Sequence, residues 1–257
     1  MDLRLQGKTA LVTGASRGIG LAITRSLIDE GVTVVAAARN VDGDLKSLPA
    51  EAVAVDLAAA DGPARLVDEA VSRAGGIDIL VNNVGGVRPR PGGFVSVTDD
   101  DWLRTLNLDL MSAVRTTRAA LPSLLERTGT IVTVCSVNAT LPDPLVIDYS
   151  AAKAACLSFF KSLSKEVGGR GVRVNTVSPG PVATDLWLGK GGVAETVAGA
   201  SGNEPGKVAA GAAAESVTGR FTRPEEVADL VVFLASDRAG NLTGTDIVID
   251  GGMTQTM

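Results

Sequence analysis

Seven short runs of β-branched and small apolar residues recur along the chain, each separated from the next by a longer stretch with apolar spacing of three and four. The runs are Lys8–Thr13, Val32–Ala38, Ala52–Val55, Ile77–Asn82, Thr130–Cys135, Val172–Val177 and Thr245–Ile249. They are almost continuously apolar rather than alternating, the pattern of strands buried on both faces of a parallel sheet. Parallel neighbours need crossover connections, which the helical stretches supply. This order predicts an α/β fold, a doubly wound sheet of seven parallel strands with helices on both faces and right-handed crossovers.

Several helix starts are signalled. Asp61-Gly62-Pro63 offers a cap and a proline in the first turn. Thr98 followed by Asp99, Asp100 and Asp101 offers a cap and a first turn whose charge suits the helix dipole. Thr222 with Glu225, around Pro224, reads as a capping box. No linker or internal repeat divides the 257 residues, so residues 1–257 are expected to form a single dinucleotide-binding and catalytic domain. Residues 186–221, rich in Gly and Ala, read as a long irregular segment and a substrate lid.

Composition removes several function classes. The chain has no histidine, which excludes a Ser-His-Asp triad and any His-ligated metal, and two cysteines cannot build a four-thiolate site. No metal is therefore expected. A net charge of −5 argues against nucleic acid or an anionic membrane as partner. No secretory signal or membrane-length apolar run is evident. Cys135 and Cys156 are expected to be reduced, and the protein cytoplasmic.

The first strand ends in Thr13-Gly14-Ala15-Ser16-Arg17-Gly18-Ile19-Gly20, with a helix pattern starting inside it. Glycines at such a place let the backbone approach a pyrophosphate at a helix N-terminus. Gly14, Ser16, Arg17, Gly18, Ile19 and Gly20 are thus candidate dinucleotide contacts in a Rossmann-like fold. The second strand ends Ala38-Arg39, with no acid where an NAD-selecting fold carries one. Arg39 and Arg17 can bracket a 2′-phosphate, so NADP(H) is expected over NAD(H). Asp56 and Leu57 end the third strand and would face an adenine, Asp56 accepting from its amine. Asn83 and Gly85 follow the fourth strand and join the same carboxyl edge.

Tyr149 is the only tyrosine, and Lys153 follows it by four residues, which puts both on one helix face. Ser136 ends the fifth strand. With the glycine loop, Asn82-Asn83-Val84-Gly85 and Ser178-Pro179-Gly180, this set resembles the short-chain dehydrogenase/reductase family in its single-domain form of about 250 residues, with similarity to 3-oxoacyl-reductase-like members. The resemblance covers essentially the whole chain. It implies an NADP-dependent oxidoreductase that moves a hydride between the nicotinamide and a ketone or secondary alcohol. Tyr149 would be the general acid/base, Lys153 would lower its pKa and hold the nicotinamide ribose, and Ser136 would bond the substrate oxygen. Pro179, Gly180, Val182 and Thr184 would lie against the nicotinamide, Val182 offering its amide and Thr184 its hydroxyl.

One position departs from the family pattern. Counting seven from Trp102 gives Asp109 where similar enzymes carry asparagine, and Asn107 is expected to point elsewhere. Asp109 is a candidate relay member beside Lys153, although an ionised carboxylate only accepts hydrogen bonds. The expected substrate is a neutral small-molecule ketone or alcohol. Its pocket walls are expected from Asn138 to Leu145, from Val182 to Leu188 and from the segment before Trp102. Arg88 and Arg90 read as solvated charges near the mouth. Family members pair helices such as Leu108–Leu125 and Ala151–Leu163 across two-fold axes, so a homotetramer is expected, with a dimer as the alternative. Two other functions compete: an NADP(H)-binding protein without turnover, which the Asp109 departure favours, and a non-redox dehydratase or epimerase on the same scaffold.

Overall fold

The computed structural model describes residues 2–255. The strands are β1 (Thr9–Thr13), β2 (Thr33–Ala38), β3 (Glu51–Ala54), β4 (Ile79–Asn82), β5 (Thr130–Val134), β6 (Arg173–Pro179) and β7 (Asp246–Ile249). All pair in parallel, in the order β3-β2-β1-β4-β5-β6-β7. Each predicted run is a strand. The helices are α1 (Gly18–Asp29), α2 (Gly62–Ala74), α3 (Asp99–Leu106), α4 (Ser112–Glu126), α5 (Ile147–Val167), α6 (Asp185–Leu188), α7 (Val193–Ser201), α8 (Pro205–Ala214) and α9 (Pro224–Ala235).

The continuous apolarity of the strands reflects two cores. In β1, Ala10 and Val12 face the layer of α1 and α9, and Leu11 faces the layer of α2, α4 and α5; all three are 0% exposed. Ile23, Leu27, Val227 and Val231 fill the first core, and Leu66, Leu124, Phe160 and Leu163 the second. Each such side chain contributes about 1.5–3 kcal/mol by leaving water. The chain winds outward from β1 to β3, then restarts at β4 on the other side of β1. That reversal opens a crevice at the carboxyl ends of β1 and β4, where doubly wound sheets take their ligands.

The caps refine the expected helix starts. At α3, Thr98 Oγ1 accepts from the Asp101 amide at 3.2 Å, and Asp101 Oδ2 accepts from the Thr98 amide at 3.3 Å. At α2 the proline is in the first turn, but Asp61 makes no side-chain cap and instead meets Arg65 at 3.4 Å. At α9 the box lies one residue later than expected: Glu226 Oε2 accepts from the Arg223 amide at 2.8 Å. Thr222 is held elsewhere, its amide donating to the Pro181 carbonyl at 3.0 Å and its carbonyl accepting from Ala183 at 2.9 Å.

Residues 186–221 are not irregular. They hold most of α6 and all of α7 and α8. Alanine and glycine give these helices little contrast between faces, so their period is faint in the sequence.

Candidate active site

The loop after β1 is shaped by glycine and held from beneath. Gly14 and Gly18 have φ of 68° and 53°, a region that suits glycine. Asn83 Nδ2 donates to the Thr13 and Gly14 carbonyls, both at 3.2 Å, and the Asn83 amide donates to Thr13 Oγ1 at 2.9 Å. A Cβ on Gly20 would collide with the Gly14 carbonyl and Asn83. Gly20 therefore packs under the loop and is not among the residues that line the cavity. The N-terminus of α1 has no side-chain cap and no acid in its first turn, leaving its amides open to an anion.

A cavity of about 770 Å³ runs along the carboxyl edge of the sheet. Gly14, Ser16, Arg17, Gly18, Ile19, Arg39, Asp56, Leu57, Asn83 and Gly85 line one part of it; Pro179, Gly180, Val182 and Thr184 line another. Arg17 and Arg39 are exposed, and neither has an ion-pair partner among the described residues. Asp56 also closes a turn, its Oδ1 accepting from the Ala58 amide at 3.0 Å.

Ser136, Tyr149 and Lys153 line the middle of the same cavity. Tyr149 and Lys153 share a face of α5, with Nζ 5.6 Å from the phenol ring centroid. Lys153 is buried and donates to the Val134 carbonyl at 3.2 Å. Burial alone would lower its pKa, but the charges of Tyr149 and Asp109 outweigh that and raise it, so the ammonium persists. Burial pushes the Tyr149 phenol up, against the pull of the Lys153 ammonium and a hydrogen bond with Ser136. In the structure the Ser136 hydroxyl donates to Asn138 Oδ1 at 3.2 Å.

Between α3 and α4 the helix widens into one π-helical turn, Asn107–Met111. Such turns re-aim side chains and are frequent at functional sites. Asp109 points inward, 1% exposed, and its Oδ1 accepts from the Gly86 amide at 2.9 Å. It stands behind Gly85 rather than on the cavity wall. Asn107 turns away as expected, donating to the Ala58 carbonyl and accepting from Arg115, both at 2.7 Å. Burial pushes the Asp109 carboxyl up to about 6, although Lys153 and the Gly86 amide pull it down.

Residues 14–254 match a family described as enoyl-(acyl carrier protein) reductase. The 3-oxoacyl-(acyl-carrier-protein) reductase FabG of Thermotoga maritima is 34% identical over 98% of this chain and 99% of its own length. The chain belongs to the short-chain dehydrogenase/reductase family. D-threitol dehydrogenase of Mycolicibacterium smegmatis is 37% identical over 98% of this chain and 95% of its own. A crystal structure of L-sorbose reductase from Gluconobacter frateurii, complexed with NADPH and L-sorbose, superimposes with a TM-score of 0.91 at 35% identity over 100% of both chains.

This short-chain dehydrogenase/reductase is thus an oxidoreductase. Its substrate side departs from the expected walls. Asn138, Leu141 to Leu145, Val182 and Thr184 to Trp187 line the cavity. The segment just before Trp102 does not; Gly85 to Val87 and the inner faces of α7 and α8 take its place. Arg88 is exposed, but Arg90 is not a solvated charge. Its guanidinium binds Asp148 at 2.5 Å and Asp101 at 3.0 Å, with side-chain exposures of 10% for Arg90 and 2% for Asp148. Thr105 adds a hydrogen bond to Asp148 at 2.7 Å. Burial would raise the Asp148 carboxyl, but Arg90 and Thr105 outweigh it and hold it below its usual range. The sequence reading missed this cluster and the bond between Asn138 and Ser136. The acid directly before Tyr149 was the one available signal.

Both cysteines are free and buried. Among the described residues there is no group of three or more potential metal ligands, and no helix is long and apolar enough to cross a membrane.

Proposed function

We propose that the protein is an NADP(H)-dependent oxidoreductase that interconverts a small ketone and its secondary alcohol. The carrying observation is that one cavity is lined at one end by a glycine cradle with two unpaired arginines and in its middle by Ser136, Tyr149 and Lys153. NADP(H) fits this chain's own residues: the open α1 amides suit a pyrophosphate, and Arg17 and Arg39 suit a 2′-phosphate where no carboxylate competes.

When bound, the nicotinamide supplies or takes the hydride. Pro179, Gly180, Val182 and Thr184 would flank it. Lys153 would hold the adjoining ribose, and it keeps a positive charge beside the phenol. Ser136 donates to the substrate oxygen and stabilises the charge that grows there. Tyr149 gives that oxygen its proton in reduction and removes it in oxidation.

Residues 186–221 act as a lid within this single domain. Leu186, Trp187, Val193, Val197 and Val208 give them an apolar inner face toward the substrate. We further propose a cytoplasmic homotetramer. Free buried thiols suit a reducing compartment, and the edge strand β7 with its exposed Val248 offers a surface for pairing. Sedimentation velocity checks the assembly.

The deciding experiment is a binding titration with NADPH and NADH, followed by a carbonyl panel with the tighter cofactor. Selective NADPH binding and carbonyl-dependent loss of reduced cofactor are expected. Binding without turnover across the panel would overturn the redox reading.

A further inference from the structure

Asp109 is a buried carboxyl with one oxygen satisfied and one left over. Oδ1 accepts from Gly86, and Oδ2 has no hydrogen-bond partner among the described residues. A buried polar atom without a partner calls for a reason. Gly85 shows what the carboxyl faces. A Cβ built there would lie 2.8 Å from Asp109 Oδ1 and 3.2 Å from Lys153 Nζ. The carboxyl and the ammonium thus face each other across the space left by the missing glycine side chain, too far apart for a direct ion pair.

The other charged and titratable groups around Asp109 are accounted for. Helix α5 brings Asp148, Tyr149, Lys153 and Cys156, whose thiol donates to the Asp109 carbonyl at 3.1 Å. The end of β5 brings the buried Cys135. The loop after β4 brings Arg90, which is bound to Asp148 and Asp101. Among the described residues, Lys153 is the cation that faces the carboxyl.

We propose that Asp109 is a positioning residue that acts on Tyr149 through charge: its carboxylate offsets the pull of the Lys153 ammonium, so the phenol keeps its proton and the site is tilted toward carbonyl reduction. This rests on reading Tyr149 as the acid/base. In reduction the phenol must carry a proton, whereas in oxidation it must lose one. A neutral amide in the same place would leave the ammonium unopposed and the phenolate easier to form. With its carboxyl held near 6, Asp109 is charged at neutral pH and above, where the phenol titrates. At an effective permittivity of roughly 20, a charge roughly 12 Å away moves a titrating group's pKa by roughly one unit, and a nearer one by more.

Tyr149 is the only tyrosine of the chain, so the near-ultraviolet phenolate band reports this one side chain without any substrate. The purified wild type, Asp109→Asn and Asp109→Glu are titrated upward in pH. The expected result is a phenolate that forms about one pH unit earlier in Asp109→Asn, with Asp109→Glu close to wild type. A phenolate that forms at the wild-type pH or later in a folded Asp109→Asn overturns the proposal. If that variant does not fold, carboxyl-carbon NMR of the wild type decides. An Asp109 that ionises below neutral pH supports the charge, and one that stays protonated through pH 8 removes it. The titration needs no turnover, so failure of the redox reading would show separately in the carbonyl panel.

Discussion

The Arg90 guanidinium grips Asp148, the residue directly before Tyr149, through hydrogen bonds of 2.5 and 3.4 Å. Arg90 also reaches Asp101 in the first turn of α3, so one side chain ties the loop after β4 to α3 and to the start of α5. Removing it leaves a buried carboxylate without its cation. Arg90→Met should lose about 3–5 kcal/mol in urea unfolding at neutral pH. The sign with pH follows from the depressed carboxyl. Its stabilisation is present above the usual carboxylate range and lost as pH falls through the folded pKa, so the gap between wild type and variant should narrow below about pH 4.

Asp109 predicts the opposite sign. Its folded pKa of about 6 lies above that of a free carboxyl. The stability linked to it is complete below about pH 4 and is lost as pH rises through about 6. Asp109→Asn has no such loss. Its stability relative to wild type should rise between pH 4 and pH 8, by up to about 3 kcal/mol. Chemical unfolding at the two pH values checks this, and a constant difference would rule it out.

Tyr149→Phe deletes the proton carrier and keeps the ring. Turnover in the carbonyl assay should fall roughly 10²–10⁴-fold. The NADPH dissociation constant, measured by fluorescence, should stay within a few-fold of wild type. A variant that keeps its rate would remove Tyr149 from the chemistry.

Arg39→Ala should weaken NADPH and leave NADH alone. One charge-assisted hydrogen bond is worth about 1.5–3 kcal/mol, or roughly 10–100-fold in affinity. Equal losses for both cofactors would place Arg39 away from the 2′-phosphate.

Trp187 stacks at a tilt on Phe221, with ring centroids 5.3 Å apart, and joins α6 to the segment before α9. Trp187→Ala should raise KM for any ketone that is turned over by about tenfold, since it removes both wall area and an aromatic contact. NADPH affinity should be unchanged. A change in cofactor affinity alone would move Trp187 out of the substrate wall.

The sheet was legible because its inner strands are buried on both faces, which leaves an unbroken apolar run such as Ala10-Leu11-Val12. The Tyr149–Lys153 spacing and the glycine loop were legible because their geometry is local. What escaped depends on distant partners. Arg90 looked solvated because Asp148 lies 58 residues away in sequence. The α9 cap was read one residue early because Thr222 is drawn into a bridge with Val182. Gly20 looked like a ligand contact, but its constraint comes from the Gly14 carbonyl behind it.

The staple between Thr13 and Asn83 bears on kinetics. Every bond in it runs between groups of the protein itself, so the start of the loop is held by the fold. On the proposed binding of NADP(H), cofactor capture should then carry little ordering cost, with an association rate set by diffusion and by the field of Arg17 and Arg39. Added salt should slow the arrival of NADPH more than its departure.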